Sequence, residues 1–290
     1  MTPDFDEPLF ESAPLARQLS ARHCPDQLTS APCQDYHAMW QYFRAIGLFS
    51  SIASDHDFLV EAIRAEARRG ARRVVISATA DYGTLARVLH AYRIENQLPE
   101  ITVVDLCETP LALNRWYAER HGIAIETVRA NVLDYQPDAQ VDLVCTHSFL
   151  GRLSPEVRRG VVANWQRMLT PGGAVVTTTR VRYGAKQNLI SFTTEEVRSR
   201  HAEALALAEA CRDQLDLAPE VIAEAAEHYA REKRMRPFGS TAEIEGYFQE
   251  ASLIIEQLSL SGNSLRIDDR PSGPLRGWHT ERVRIVARRP

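Results

Sequence analysis

The chain has 290 residues, 44% of them hydrophobic and 25% charged, with 14 Gly and 15 Pro. This is globular composition and excludes a disordered, collagen-like or disulfide-framework chain. Its 38 acidic and 34 basic residues leave a net charge of -4 and form no basic stripe, so nucleic acid is not an expected partner. Charges interrupt every apolar stretch, so no membrane span is expected either.

The start, MTPDFDEPLF, is acidic and broken by proline, unlike a secretory signal or a presequence. The first thirty-odd residues, rich in Pro, Ser and Asp, read as short helices and turns. Helical spacing follows over 35–49, through Tyr36, Met39, Trp40, Phe43 and Ile46. It returns over 54–73 through Phe58, Leu59, Ala62, Ile63 and Ala67, with Ser54 and Asp55 as N-cap candidates.

From residue 72 the pattern changes to alternation. Short β-branched runs at 72–78, 101–106, 125–132, 141–149 and 174–181 read as buried strands. Helical stretches at 82–96, 109–122 and 154–169 separate them. The last of these starts with Ser154 at the N-cap and Pro155 at the first helical position. The stretch 194–235 is helical, broken near Leu217 to Pro219, and its end from Arg231 to Arg236 reads as a solvated helix terminus. A helix capped by Ser240 and Thr241 leads to two closing strands, 251–260 and 282–289, joined by a long polar loop over 261–279. The fold class is α/β, a doubly wound, mostly parallel sheet. Residues 1–70 form a helical cap, 71–184 with 237–290 the sheet domain, and 185–236 a helical insertion or lid.

Five cysteines, an odd number without a C-x-x-C pair, fit a reducing compartment, and a cytoplasmic location is expected. Cys24 and Cys33 lack His or Cys partners at zinc-like spacing and read as incidental thiols, so no metal is expected.

In an open parallel sheet, ligands sit beyond the carboxyl ends of the strands, where the strand order reverses. That rule selects Ser77 to Gly83, including Thr79 and Asp81, then Asp105-Leu106-Cys107, Ala130-Asn131-Val132 and Thr146-His147-Ser148. Asp105 lies 22 residues past Gly83, where a carboxylate accepts both hydroxyls of a ribose. An Asp after a strand is equally a turn residue.

The turn ending in Gly83, Asp105 after the second strand, Asn131 after the third, THSFL after the fourth and Leu169-Thr170-Pro171-Gly172-Gly173 before the fifth resemble the class I S-adenosylmethionine-dependent methyltransferases. The resemblance covers about 50–184 and 237–290. It implies a seven-stranded Rossmann-like sheet ending in an antiparallel hairpin, S-adenosylmethionine as co-substrate and a small-molecule acceptor, with a homodimer left open. The family's first turn reads D/E-x-G-x-G-x-G, whereas Ser77, Thr79 and Asp81 here precede Gly83. Side chains at 79 and 81 narrow the approach of the methionine part. Asp81 then either binds the ligand's ammonium or only caps the following helix. The missing G-x-G-x-x-G speaks against a nicotinamide dehydrogenase, and no acidic cluster after the fourth strand supports a metal-dependent methyltransferase.

By the same resemblance Asn131 faces the adenine amino group, and its alternative is a turn residue. His147 falls where donor methyl and acceptor meet, as a general base or as a structural histidine. An N-terminal helix over the site brings Tyr36, Trp40, Tyr42 and Phe43 to its mouth, either against the sulfonium or as one packing stripe. Arg180, Arg182 and Tyr183, after the fifth strand, suit an acidic or phenolic acceptor. The expected reaction is methyl transfer to a small molecule. Its rivals are cyclisation of the donor's aminocarboxypropyl group with release of methylthioadenosine, and a binding protein with a degenerate pocket.

Overall fold

A buried parallel sheet needs strands that are apolar on both sides, and Val74, Val75 and Ile76 meet that condition, each about 1% exposed or less. The structure, a computed structural model, describes residues 5–26, 33–49, 51–185, 189–261, 272–274 and 279–290. In chain order the helices are α1 (Leu9–His23), α2 (Gln34–Ala45), α3 (Ser51–Ser54), α4 (His56–Arg68), α5 (Gly83–Ile94), α6 (Glu108–Arg120), α7 (Pro155–Met168), α8 (Thr194–Ala210), α9 (Pro219–Glu232) and α10 (Thr241–Glu250). The strands are β1 (Arg73–Ser77), β2 (Glu100–Asp105), β3 (Glu126–Arg129), β4 (Val141–His147), β5 (Leu169–Arg182), β6 (Ile190–Ser191), β7 (Arg234–Met235), β8 (Ile254–Leu260) and β9 (Thr280–Arg288).

Seven strands form one sheet in the order β3-β2-β1-β4-β5-β9-β8, and only β9 runs against its neighbours. The order reverses between β1 and β4, so the carboxyl ends of β1, β2 and β4 border the expected crevice. Val74 and Ile76 face the layer of α4, α5 and α6, while Val75 faces α7 and α10. The two layers are the doubly wound arrangement expected from the alternation.

The polar helix starts follow local chemistry. Ser154 Oγ accepts the Val157 amide, Ser240 Oγ accepts the Glu243 amide, and Thr193 with Glu196 forms a reciprocal capping box on α8. Asp55 stands at the N-cap position of α4 but caps nothing, because its carboxylate is taken by distant arginines. Three boundaries differ from the expectation. The α1 region is one fifteen-residue helix rather than short helices and turns. Its buried face is Ser12, Ala13, Ala16 and Ser20, small residues that large-apolar periodicity does not register. Strand β3 covers only 126–129, and β5 begins at Leu169, so the proline-glycine turn, with Gly172 at φ 80°, falls within its span where the register with β4 jumps from Leu169 to Ala174.

Helix α8 packs on α9 and α9 on α2, in one apolar cluster that joins Ala204, Ala208, Ile222 and Ala226 to Trp40, Phe43 and Phe49. The strands β6 and β7 pair at the base of this excursion. The cap and the insertion thus share one apolar cluster above the sheet. Of the long polar loop expected over 261–279, the residues 262–271 and 275–278 lie outside the described residues.

Candidate active site

Where β1, β2 and β4 end beneath α2 lies a cavity of about 300 Å³. Its floor is Ala78 to Asp81, Asp105 to Cys107 and His147 to Phe149; its roof includes Tyr36, Trp40 and Phe49. Two non-glycine residues in that floor have left-handed backbone, Ala78 at φ 58° and Ser148 at φ 52°. Such strain persists where surrounding structure over-determines it, commonly at functional sites. Ala78 is held by its amide donating to the Val104 carbonyl, and Ser148 by its amide donating to Thr178.

Asp105 ends β2 with its carboxylate fixed by two backbone donors. The Thr79 amide reaches Oδ2 at 3.0 Å and the Cys107 amide reaches Oδ1 at 2.8 Å. Burial raises the carboxyl to about 6, against those two hydrogen bonds. Each oxygen keeps a lone pair for a further donor.

Asp81 is used differently. Its Oδ1 accepts the Gly83 amide at 2.6 Å, and its Oδ2 accepts the Trp40 indole at 2.8 Å and the Arg44 guanidinium at 2.9 Å. Arg44 and Asp81 are both nearly buried, and Glu7 closes the row by pairing with Arg44 and with Arg87. Gly83 serves this row: a Cβ there would stand 2.9 Å from Asp81 Oδ1 and 3.2 Å from Arg44. The two roles considered for Asp81 left out a third, as the counter-ion that docks α2 on the first turn.

His147 lines the cavity at the end of β4. Its Nε2 lies 3.1 Å from Asp55 Oδ2 and 3.4 Å from the Ser148 hydroxyl. Asp55 is fully buried and also accepts from Arg282 at 2.7 Å and Arg284 at 3.0 Å. Burial lowers the His147 imidazole below its ordinary value, with Asp55 opposing. A neutral ring whose Nε2–H points at Asp55 leaves Nδ1 as the acceptor.

Thr79, Asp81, Asp105, Leu106, His147 and Tyr36 are therefore brought to one cavity. Ser77, Gly83, Asn131, Val132, Thr146 and Tyr183 are not among its lining residues. Ser77 Oγ, beneath the floor, accepts the buried Trp165 indole at 3.0 Å. Asn131 Oδ1 accepts the Leu133 amide at 3.1 Å, as a turn residue does. Val132 packs under α7, and Thr146 is fully buried in β4. Tyr183 donates to Glu281 at 2.6 Å, which raises its phenol to about 12. Of the expected stripe, Tyr42 is buried with its hydroxyl on Asp216, tying α2 to the insertion.

Several residues at the site carried no sequence signal for a role there. Arg44, Asp55 and Arg152 act through partners far along the chain. Arg152 donates to the Tyr36 hydroxyl at 3.2 Å, and Lys233 lies 5.9 Å from the Tyr36 ring centre, in a run read as a solvated helix end. Past Ser148 and Arg152 the cavity meets a smaller one of about 50 Å³ lined by Arg152, Arg180, Arg182, Lys233 and Arg282, with no Asp or Glu among its described lining residues. Cys24 and Cys33 also have partners after all. The fold brings His37 and Cys107 against them, and the four ligand atoms lie within 4.8 Å of one another.

Comparison with known proteins gives a family model over part of the chain and a consistent fold. Residues 82–173 match the family model described as a methyltransferase domain. No curated protein matches the chain. Among solved structures, an O-methyltransferase family protein from Burkholderia thailandensis is 18% identical with a TM-score of 0.51, over 88% of this chain and 60% of its own. A geranyl diphosphate methyltransferase, solved with its prenyl diphosphate and sinefungin, is 13% identical with a TM-score of 0.50, over 82% and 79% of the two chains. At these identities the likeness concerns the fold. The strand order is that of the Rossmann-like fold of class I methyltransferases, and 82–173 is the segment that matches the methyltransferase-domain model.

Proposed function

We propose that the chain binds S-adenosylmethionine in the cavity over β1, β2 and β4 and transfers its methyl group to a small acceptor bearing an anionic group. The observation that carries the reading is Asp105: a carboxylate at the end of β2, pinned by two backbone N–H groups and lining the cavity. Fixed this way it accepts two ribose hydroxyls without reorganising. Leu106 lines the same cavity beside Asp105. The rings of Tyr36, Trp40 and Phe49 in the roof favour a sulfonium cation.

The acceptor enters from the cationic side. Burial and the neighbouring Arg152 push the Lys233 ammonium well down, so an anion bound between the two restores its charge on binding. His147 Nδ1 takes the acceptor's proton as the acceptor atom attacks the methyl carbon. The carbon–sulfur bond breaks, sulfur keeps the electron pair, and adenosylhomocysteine leaves. Positioning supplies most of the acceleration, because the sulfonium is already an activated leaving group.

The test is calorimetry with S-adenosylmethionine on wild type and Asp105→Ala, followed by product analysis. Charge-assisted hydrogen bonds contribute about 1.5–3 kcal/mol each, so the variant should bind at least about tenfold more weakly. Adenosylhomocysteine formed only with an anionic acceptor present supports the reaction. Methylthioadenosine formed without acceptor rejects methyl transfer in favour of cyclisation. No binding by wild type rejects both.

A further inference from the structure

We propose that Cys24, Cys33, His37 and Cys107 bind one zinc ion in a closed tetrahedral site that staples the N-terminal segment to the turn carrying Asp105. The distances are those of a coordination shell. Cys24 Sγ lies 3.7 Å from Cys107 Sγ and 3.4 Å from His37 Nδ1, and Cys33 Sγ lies 3.7 Å from Cys107 Sγ. With Zn–S near 2.3 Å and Zn–N near 2.0–2.1 Å, a tetrahedron has S–S edges of about 3.8 Å and S–N edges of about 3.6 Å. Those three contacts already have such lengths, and all four ligand atoms lie within 4.8 Å of one another.

The local structure favours thiolates there. Cys33 is the N-cap of α2 and Cys107 the N-cap of α6, so two sulfurs stand at the positive ends of helix dipoles. His37 follows Cys33 by one helical turn, which places both on one face of α2. Cys24 and Cys107 are at most 4% exposed, and the Thr109 hydroxyl lies 3.2 Å from Cys24 Sγ, where it can donate to a thiolate. Four protein ligands leave no open position, the arrangement of a structural rather than a catalytic zinc.

A disulfide fits less well. Cys107 is equally distant from Cys24 and Cys33, so no pair is singled out, and pairing any two leaves one thiol and His37 Nδ1 without a role. The metal explains all four groups at once. It also bears on the cavity, because the Cys107 amide is one of the two donors that fix Asp105. Metal content is read without the donor or the acceptor, so it stands or falls independently of the proposed reaction.

The experiment is elemental analysis of untagged protein purified from zinc-supplemented cells, with cobalt titration of the apo form under reducing conditions. About one zinc per chain is expected, and cobalt should give thiolate charge-transfer and tetrahedral visible bands that saturate at one equivalent. Cys33→Ser should bind at least about tenfold more weakly, while Cys211→Ser, outside the cluster, should keep the metal. Because Cys33 is partly exposed, its variant is the one least exposed to misfolding. Absent cobalt bands in folded wild type, unchanged metal in Cys33→Ser, or a disulfide among the three cysteines in fresh protein each overturns the site.

Discussion

Asp81 holds three donors at once, and that occupancy sets what its replacement does. Asp81→Asn keeps the size of the side chain but leaves Arg44 buried with Glu7 as its remaining counter-ion. Breaking a buried pair costs about 3–5 kcal/mol when nothing replaces the partner, and Glu7 places this case at the lower end. The ligand-free variant should therefore melt several degrees below wild type. A variant that melts like wild type yet binds S-adenosylmethionine poorly would return Asp81 to the role of ammonium ligand. Ser77 gives the complementary case. Ser77→Ala strands the Trp165 indole in the core, for about 1–3 kcal/mol, while donor affinity measured below the transition should not change. Loss of affinity at full folding would instead put Ser77 in the binding site. Sequence position placed both residues at the end of the first strand and the turn after it. It carried nothing about Trp40, Arg44 or Trp165, because those partners are set by packing between distant elements.

Among the elements, several helix starts and the succession of strands and helices were legible, since caps and alternation are written within a few neighbouring residues. Ser154, Pro155 and Ser240 each do what their position implies. The segment before α1 was not, because Glu7 has no local pattern and takes its meaning from Arg44 on α2 and Arg87 on α5. Burial opposes ionisation of Glu7, yet the two guanidiniums bring its carboxyl down to about 2 from an ordinary 4.5. A carboxyl depressed in the folded state stabilises fully above its unfolded value and loses that contribution as pH falls through the folded one. The difference corresponds to about 3 kcal/mol, present above pH 4.5 and gone near pH 2. Urea unfolding of wild type and Glu7→Gln should show a clear gap near neutral pH that narrows steadily in acid. A gap of constant size would mean that Glu7 acts through packing and not through its charge.

At the scale of the whole molecule, the chemistry is assembled where parts far apart in sequence meet. Asp55 enters from the cap, His147 from the parallel half of the sheet, and Arg282 and Arg284 from the antiparallel strand β9. As an N-cap candidate Asp55 was read only within its own segment, so its electrostatic role was invisible until β4 and β9 were placed beside it. That junction predicts two separable effects. Asp55→Asn removes the buried carboxylate that Arg282 and Arg284 share and should lower the melting temperature clearly. His147→Gln leaves those ion pairs intact and should melt closer to wild type. The pH dependence of methyl transfer separates the histidine's role further. In wild type, burial, Arg282 and Arg87 lower the imidazole, Asp55 opposes them and the Ser148 hydroxyl lies beside it, and the rate should fall only as pH drops below the ordinary imidazole range. Removing the Asp55 charge takes away what raises the imidazole's affinity for a proton, so in Asp55→Asn that inflection should move to still lower pH. In His147→Gln it should vanish. An inflection that stays in place in Asp55→Asn and survives in His147→Gln would belong to another group, and His147 would then be a structural histidine at the end of β4.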